Sequence, residues 1–154
     1  MTLREAIVGL VGACRRDVVD CVGVGVVDLS TGGMLHSDTV DELPADLLEL
    51  MGAATVDLFQ GRAVRAVERA MSERRGGDHW NASQEGHAFE EILVRSPHQV
   101  HLFLRSRRHP DLALAVVCSG TVKLGLLLAG ARGLLRDFDA APVGVDTGRL
   151  GLSR

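Results

Sequence analysis

Hydrophobic positions recur at helical spacing from the start of the chain. Leu3, Ala6, Ile7, Leu10, Val11 and Cys14 fall on one side of a 3.6-residue period, which predicts an amphipathic helix over about residues 2–16. The pattern then changes period. Val22, Val24 and Val26 alternate, Ser30-Thr31-Gly32-Gly33 has turn composition, and Met34-Leu35 is a short apolar run. Residues 21–29 and 33–37 therefore read as a β-hairpin whose bend uses glycine for a positive φ. From Pro44 to about Arg74 the chain is rich in Ala, Leu, Glu and Arg, and it predicts one long helical stretch. A polar loop follows at 74–86, RRGGDHWNASQEG. Strand-like runs cover 87–95, 98–106 and 111–118, with Ser96-Pro97 and Arg107-Arg108-His109-Pro110 as hairpin turns. A last helix over 121–138 has Ser119 or Thr121 as candidate N-cap, and 139–154 forms a tail with few large side chains.

The element order α-β-β-α-β-β-β-α, with tight turns between strands, predicts a five-stranded antiparallel sheet. Several strands are apolar on both faces. Val100, Leu102 and Leu104 oppose Phe103, and Leu112, Leu114 and Val116 oppose Ala113, Ala115 and Val117. Both faces must be covered, so the fold class is a three-layer α/β/α sandwich. Gly23-Val-Gly25 is half of a dinucleotide-binding loop, but the third glycine position is Asp28 and no helix opens behind it. A structural role fits better. Thr121, Gly125, Ala129 and Gly133 form a nearly bare helical ridge, and Gly23, Gly25, Ala113 and Ala115 a bare patch of sheet, so the two are expected to meet as a packing seam.

Composition narrows the function. The chain has 154 residues, one domain's worth, a net charge of −3 and 3% aromatics without Tyr. That gives no electrostatic case for nucleic acid or an anionic membrane, and no base-stacking platform. No apolar run approaches the ~18 residues of a membrane span, and the N-terminus lacks a basic region followed by an apolar one. The expectation is a cytoplasmic protein without membrane insertion. Cys14, Cys21 and Cys118 are odd in number, lie in apolar contexts and read as small buried hydrophobes.

Candidate chemistry is sparse. His98 and His101 are three apart on a strand, so they point to opposite faces and cannot share a metal. Glu90 and Glu91 diverge for the same reason. No nucleophile elbow or phosphate-binding loop occurs. No catalytic, cofactor or metal residues are assigned. The basic turn Arg105–Pro110 reads either as a solvated hairpin tip or as a contact for phosphate or an acidic partner. Trp80 reads either as a partner anchor or as a lid on its own core.

The long helix holds the most informative pattern. Leu43, Leu47, Leu50, Met51, Ala54 and Leu58 cluster on one side. A second stripe, Val56, Phe59, Ala63, Val67 and Ala70, runs roughly opposite, while Arg62, Arg65, Glu68 and Arg69 take over the first side. Either the helix bends near Gly61 to keep one core, or a straight helix buries two faces and the second needs a partner.

These features in this order resemble the roadblock/dynein-light-chain family. The matching parts are the hairpin Asp28-(x)3-Gly32-Gly33-Met34-Leu35, the small-residue-rich helix MGAATVDLF, the hairpin pair that completes the sheet, and the last helix opening TVKLGLLLAGARGLL, all within 2–138. The resemblance implies a profilin-like sheet of order 2-1-5-4-3 in a roadblock-like domain over 1–138, with 139–154 as tail. It implies that the first and last helices share one face, and that homodimers join through second helices and third strands. The chain is similar in particular to bacterial members that pair with small Ras-like GTPases, among them the gliding-motility regulator that stimulates its partner's GTP hydrolysis. The expected function is thus a non-enzymatic homodimeric adaptor regulating a small Ras-like GTPase. Val56, Phe59, Ala63, Val67 and Ala70 are the expected dimer interface, and Arg62, Arg65, Glu68 and Arg69 the partner-binding rim. A ligand-sensing α/β module and a structural light chain are the alternatives.

Overall fold

The computed structural model describes residues 1–74 and 89–144. Their elements run α1 (Leu3–Asp17), β1 (Cys21–Asp28), β2 (Gly33–Thr39), α2 (Ala45–Gln60), α3 (Arg62–Arg74), β3 (Glu91–Arg95), β4 (Gln99–Arg105), β5 (Leu112–Ser119) and α4 (Leu124–Ala140). Most of the polar loop expected over 74–86, with Trp80, lies outside the described residues. So do residues 87 and 88 of the strand-like run 87–95 and residues 145–154 of the tail. The strands form one antiparallel sheet in the order β2-β1-β5-β4-β3. The α/β/α sandwich and its strand order are those expected.

Local chemistry explains the element ends. Thr2 and Glu5 make a reciprocal capping box at α1: Thr2 Oγ1 accepts from the Glu5 N–H at 3.1 Å, and the Glu5 carboxylate accepts from the Thr2 N–H at 2.8 Å. Arg15 and Arg16 sit in the last turn, where positive charge meets the helix dipole favourably. In the β1–β2 turn, Asp28 Oδ1 accepts from the N–H and hydroxyl of Ser30 at 2.8 and 2.6 Å. Gly32 takes φ +77°, the positive φ expected at this bend.

One face of the sheet carries the main core. Val24 and Val26 of β1, Val100, Leu102 and Leu104 of β4 and alternate residues of β5 pack against Ala6, Ile7, Leu10, Val11 and Cys14 of α1 and Leu127, Ala131, Leu135 and Phe138 of α4. The opposite face, under α2, holds a small cluster of Val27, Leu29, Phe59 and Ala113, edged by Met34, Val56, Ile92 and Phe103.

Three expectations are corrected. The long helix is two, α2 and α3, broken at Gly61, whose ψ of 166° leaves the helical region while its N–H still donates to the Asp57 carbonyl at 3.0 Å. A Cβ at Gly61 would lie 2.6 Å from that carbonyl oxygen, so glycine permits the break. α4 begins three residues late, with Lys123 at its N-cap and no side-chain cap, because the Ser119 and Thr121 hydroxyls bond each other at 3.1 Å. The packing seam does not form. Gly23, Gly25, Ala113 and Ala115 do share a face, with Gly25 opposite Ala115, but that face looks toward α2. α4 lies on the other face and packs through a different stripe, Leu127-Ala131-Leu135. At Gly125 a Cβ would meet nothing within 4 Å, and at Gly133 only the tip of Arg136 at 3.9 Å.

Candidate partner-binding surface

α2 meets the sheet through its small residues. Gly52 sits on the β1–β2 turn so closely that a Cβ would lie 2.2 Å from the Gly32 carbonyl oxygen. The next turn buries Thr55, whose hydroxyl donates to the Met51 carbonyl at 2.8 Å, and then Phe59. Gln60 Nε2 donates to the Leu29 carbonyl at 2.7 Å and pins the helix end to the same turn. The buried side of α2 is therefore Gly52-Thr55-Phe59. The stripe beside it, with Leu47 40% and Leu50 67% exposed, Ala54 exposed and Leu58 half-buried, has no cover among the described residues.

This reverses part of the sequence expectation. Phe59, expected between two subunits, is fully buried in its own chain, with Val56 packed beside it. Once the helix breaks at Gly61, α2 and α3 no longer share one set of faces, and the second stripe divides. Ala63, Val67 and Ala70 belong to α3 and point outward, with Val67 46% exposed. Glu68, expected on the charged rim, is the buried residue of α3, whereas Arg62, Arg65 and Arg69 are exposed. The stripe that sequence periodicity assigned to the chain's own core is the one left open. The available signal was Gly52 and Thr55, small residues at the spacing of a close helix–sheet approach.

Glu68 belongs to a buried charged cluster. Arg105 at the end of β4 is 5% exposed; its guanidinium lies 5.1 Å from the Phe59 ring centroid and donates to the Pro110 carbonyl at 3.1 Å. Burial lowers the Arg105 pKa, while the charges of Glu68, Asp111 and Glu90 oppose that shift. The rest of the basic turn is also engaged at home. Arg107 pairs with Glu90 at 3.1 Å, and Arg108 donates to the carbonyls of Asp139 and Ala141 at the end of α4 at 3.2 and 2.9 Å. Ser106 Oγ donates to Asp139 at 2.5 Å. The turn is tied to α4 through Arg108 and Ser106, while Arg107 keeps 81% of its side-chain surface exposed, as the solvated-tip reading expects. Glu90 precedes β3 and Glu91 opens it; both edge one hollow but take different partners, Glu91 receiving a bidentate Arg132 of α4 at 2.6 Å, which lowers its carboxyl pKa.

Two hollows adjoin along the open side of α2. The first, about 480 Å³, lies over the bare patch of Gly23, Gly25 and Ala115 and is edged by Leu47, Met51 and Gln99. The second, about 440 Å³, is bounded by Ala54, Asp57 and Leu58 on α2, Val64 on α3, and Val94 and Phe103 on the strands. His101 borders both, and burial lowers its pKa, so the imidazole is held neutral. Val94 is 40% exposed on β3, the outer strand. His98 lies in the turn before β4 and not on the strand expected, whereas His101 is within β4. Among the described residues no three His, Cys, Asp or Glu side chains converge as a metal site, and no helix is long and apolar enough to cross a membrane.

No protein-family model matches the chain, and no curated protein matches its sequence. Solved structures do match in three dimensions. A roadblock/LC7 domain from Streptomyces avermitilis is 15% identical with a TM-score of 0.58, covering 89% of this chain and 94% of that one. The gliding protein MglB from Thermus thermophilus is 14% identical with a TM-score of 0.64, covering 90% of each chain. An MglB in a tetrameric arrangement gives the same identity and score, covering 90% of this chain and 89% of that one. Identities this low speak to architecture, and together with the strand order and helix placement they show that the chain has the roadblock/LC7 fold.

Proposed function

We propose that the chain is a non-enzymatic homodimeric adaptor that binds and regulates a small Ras-like GTPase. The observation that carries this reading is the uncovered apolar stripe Leu47-Leu50-Ala54-Leu58, whose Ala54 and Leu58 edge the same hollow as Val94 of the outer strand β3. A second copy laid across it in two-fold symmetry would bury the same stripe on both subunits and fill the hollow between Leu58 and Val94. This supports the pairing through second helices and third strands that the family resemblance implies, with the contact moved from Phe59 to the Leu50 side. Ala63, Val67 and Ala70 of the originally expected interface remain available on α3 at its margin. Arg62, Arg65 and Arg69 form the exposed basic edge where a GTPase would touch the dimer. The tetrameric MglB is a neighbour of the same fold that self-associates.

Light scattering on a sizing column tests the dimer. The wild type is expected to run as a dimer and Leu50→Asp as a folded monomer, because a charge in a desolvated interface is strongly unfavourable. A monomeric wild type refutes the reading. Co-elution with purified small Ras-like GTPases of the source organism, loaded with a GTP analogue, tests the partner. Triple Arg→Ala at 62, 65 and 69 should weaken it and spare the dimer. The hollow over Gly25 favours one second reading, a ligand-sensing module, since its volume falls within the usual range for small-molecule sites. If a second copy of the chain leaves that hollow open and a small apolar probe raises the melting temperature saturably, the sensor reading gains.

A further inference from the structure

Cys21 opens β1 and Cys118 lies near the end of β5, and the two are directly opposite in the antiparallel ladder. Opposed ladder residues have Cα atoms about 4.5–5.5 Å apart, inside the roughly 4.4–6.8 Å range of a disulfide. Both side chains belong to the α1/α4 side of the sheet, Cys118 with no exposed surface and Cys21 half-buried at its edge. Arg15, in the last turn of α1, reaches the same point and donates to the Cys21 carbonyl at 2.7 Å. We propose that Cys21 and Cys118 form an oxidative modification site, in which a hydroperoxide oxidises Cys21 and Cys118 closes a cross-strand disulfide.

The chemistry balances. With hydrogen peroxide, the Cys21 thiolate attacks one oxygen, the O–O bond breaks, and Cys21 becomes a sulfenic acid as the other oxygen leaves as hydroxide, which takes up the proton Cys21 gave to solvent and becomes water. The Cys118 sulfur then attacks the sulfenic sulfur, the S–O bond breaks, and a second water carries off the Cys118 proton. Two electrons pass from the thiol pair to the peroxide. Electrostatics sorts the roles. A hydrogen bond from the Cys118 thiol, with further help from Arg15, holds the Cys21 pKa well below the ordinary thiol range in spite of its burial. Donating that bond, together with burial, keeps Cys118 protonated. Cys14 belongs to the same neighbourhood, but it sits on α1 and not opposite Cys21 in the ladder, and burial pushes its thiol up to about 12.

The wild-type chain is treated with hydrogen peroxide, quenched and digested without reductant. The expected products are a peptide joining Cys21 to Cys118, loss of two of the three titratable thiols, and recovery of both with dithiothreitol. Three surviving thiols, a link through Cys14, or a link between two copies of the chain would each overturn the proposal. In Cys118→Ala, Cys21 should accumulate as a sulfenic acid that dimedone labels, and absence of that label also overturns it. Arg15→Gln should slow alkylation of Cys21 by iodoacetamide at neutral pH. An unchanged rate removes Arg15 from the site.

Discussion

On one side of the sheet, α1 and α4 close over Val11, Cys14, Val100, Leu102, Val116 and Leu127, none of which retains any exposed surface. On the other, α2 reaches the strands through Gly52, Thr55 and Phe59 and leaves Leu47 and Leu50 facing outward above two hollows. The first face is completed by long aliphatic side chains that interdigitate. The second is completed by removing side chains, at Gly23, Gly25 and Gly52, so that a helix can approach in one place and stand away elsewhere. An apolar surface left standing away is unfavourable in water at roughly 25 cal/mol per Å². A second copy of the chain would relieve that cost. The closed face makes the domain stable, and the open one is the surface on which the proposed dimer would form.

The largest expected effect tests that division. Leu127→Ala removes a fully buried side chain from the α1/α4 face and should cost about 3–5 kcal/mol in equilibrium denaturation. Leu50→Ala, at 67% exposure, should leave the stability of a dilute sample within about 0.5 kcal/mol. It should, however, reduce the concentration dependence of unfolding that a dimer confers. Equal losses from the two variants would mean that the faces are not distinct. Phe59→Asp belongs with Leu127: it should unfold the chain rather than divide a dimer, since Phe59 is spent inside its own protomer.

The closed face was legible in the sequence and the open face much less so. Leu3-Ala6-Ile7-Leu10 and the alternation in β1, β4 and β5 report burial directly, because a core lined with Val and Leu repeats with the period of its element. α2 broke that link. Its apolar stripe looks like a core stripe, but the contact with the sheet is made by Gly52 and Thr55, which hydropathy does not register. Gly61 gave warning of a bend, yet periodicity alone left the straight helix standing. The glycine ridge of α4 misled in the opposite direction, since bare positions there face solvent. The clasp of Arg108 on α4 joins residues about thirty positions apart, and no local pattern encodes it.

Glycine-to-alanine changes in α2 and in α4 should have effects of opposite sign. Gly52→Ala would place a methyl group 2.2 Å from the Gly32 carbonyl oxygen, backbone against backbone, so α2 must shift. The expected cost is on the order of 1–3 kcal/mol, with loss of the dimer. Gly130→Ala in the interior of α4 meets nothing within 4 Å and should stabilise by about 0.5–1 kcal/mol through the unfolded chain. Denaturant midpoints decide both. A neutral Gly52→Ala would show that α2 is not seated on the turn.

The smallest effect is a pH dependence centred on His101, where the two hollows meet. Burial lowers its pKa in the folded chain, so the unfolded chain binds that proton more readily. The neutral imidazole's contribution is fully present above the unfolded value of about 6.5 and is lost as pH falls through it toward the folded value. His109 shifts in the same direction, through burial and the nearby Arg108 charge against an opposing Asp139, so the wild-type slope alone does not isolate His101. The readout is the difference between wild type and His101→Gln, followed by denaturant unfolding between about pH 8 and pH 5. The wild type should lose more stability on acidification than the variant. His101 keeps part of its surface in water and burial is the only cause of its shift, which makes the expected difference small. If a second copy covers that hollow, acid should also loosen the dimer, because the imidazolium would be sealed against Val94 and Leu58. A dimer that holds equally well at both pH values in wild type and variant would place the subunit contact elsewhere on the molecule.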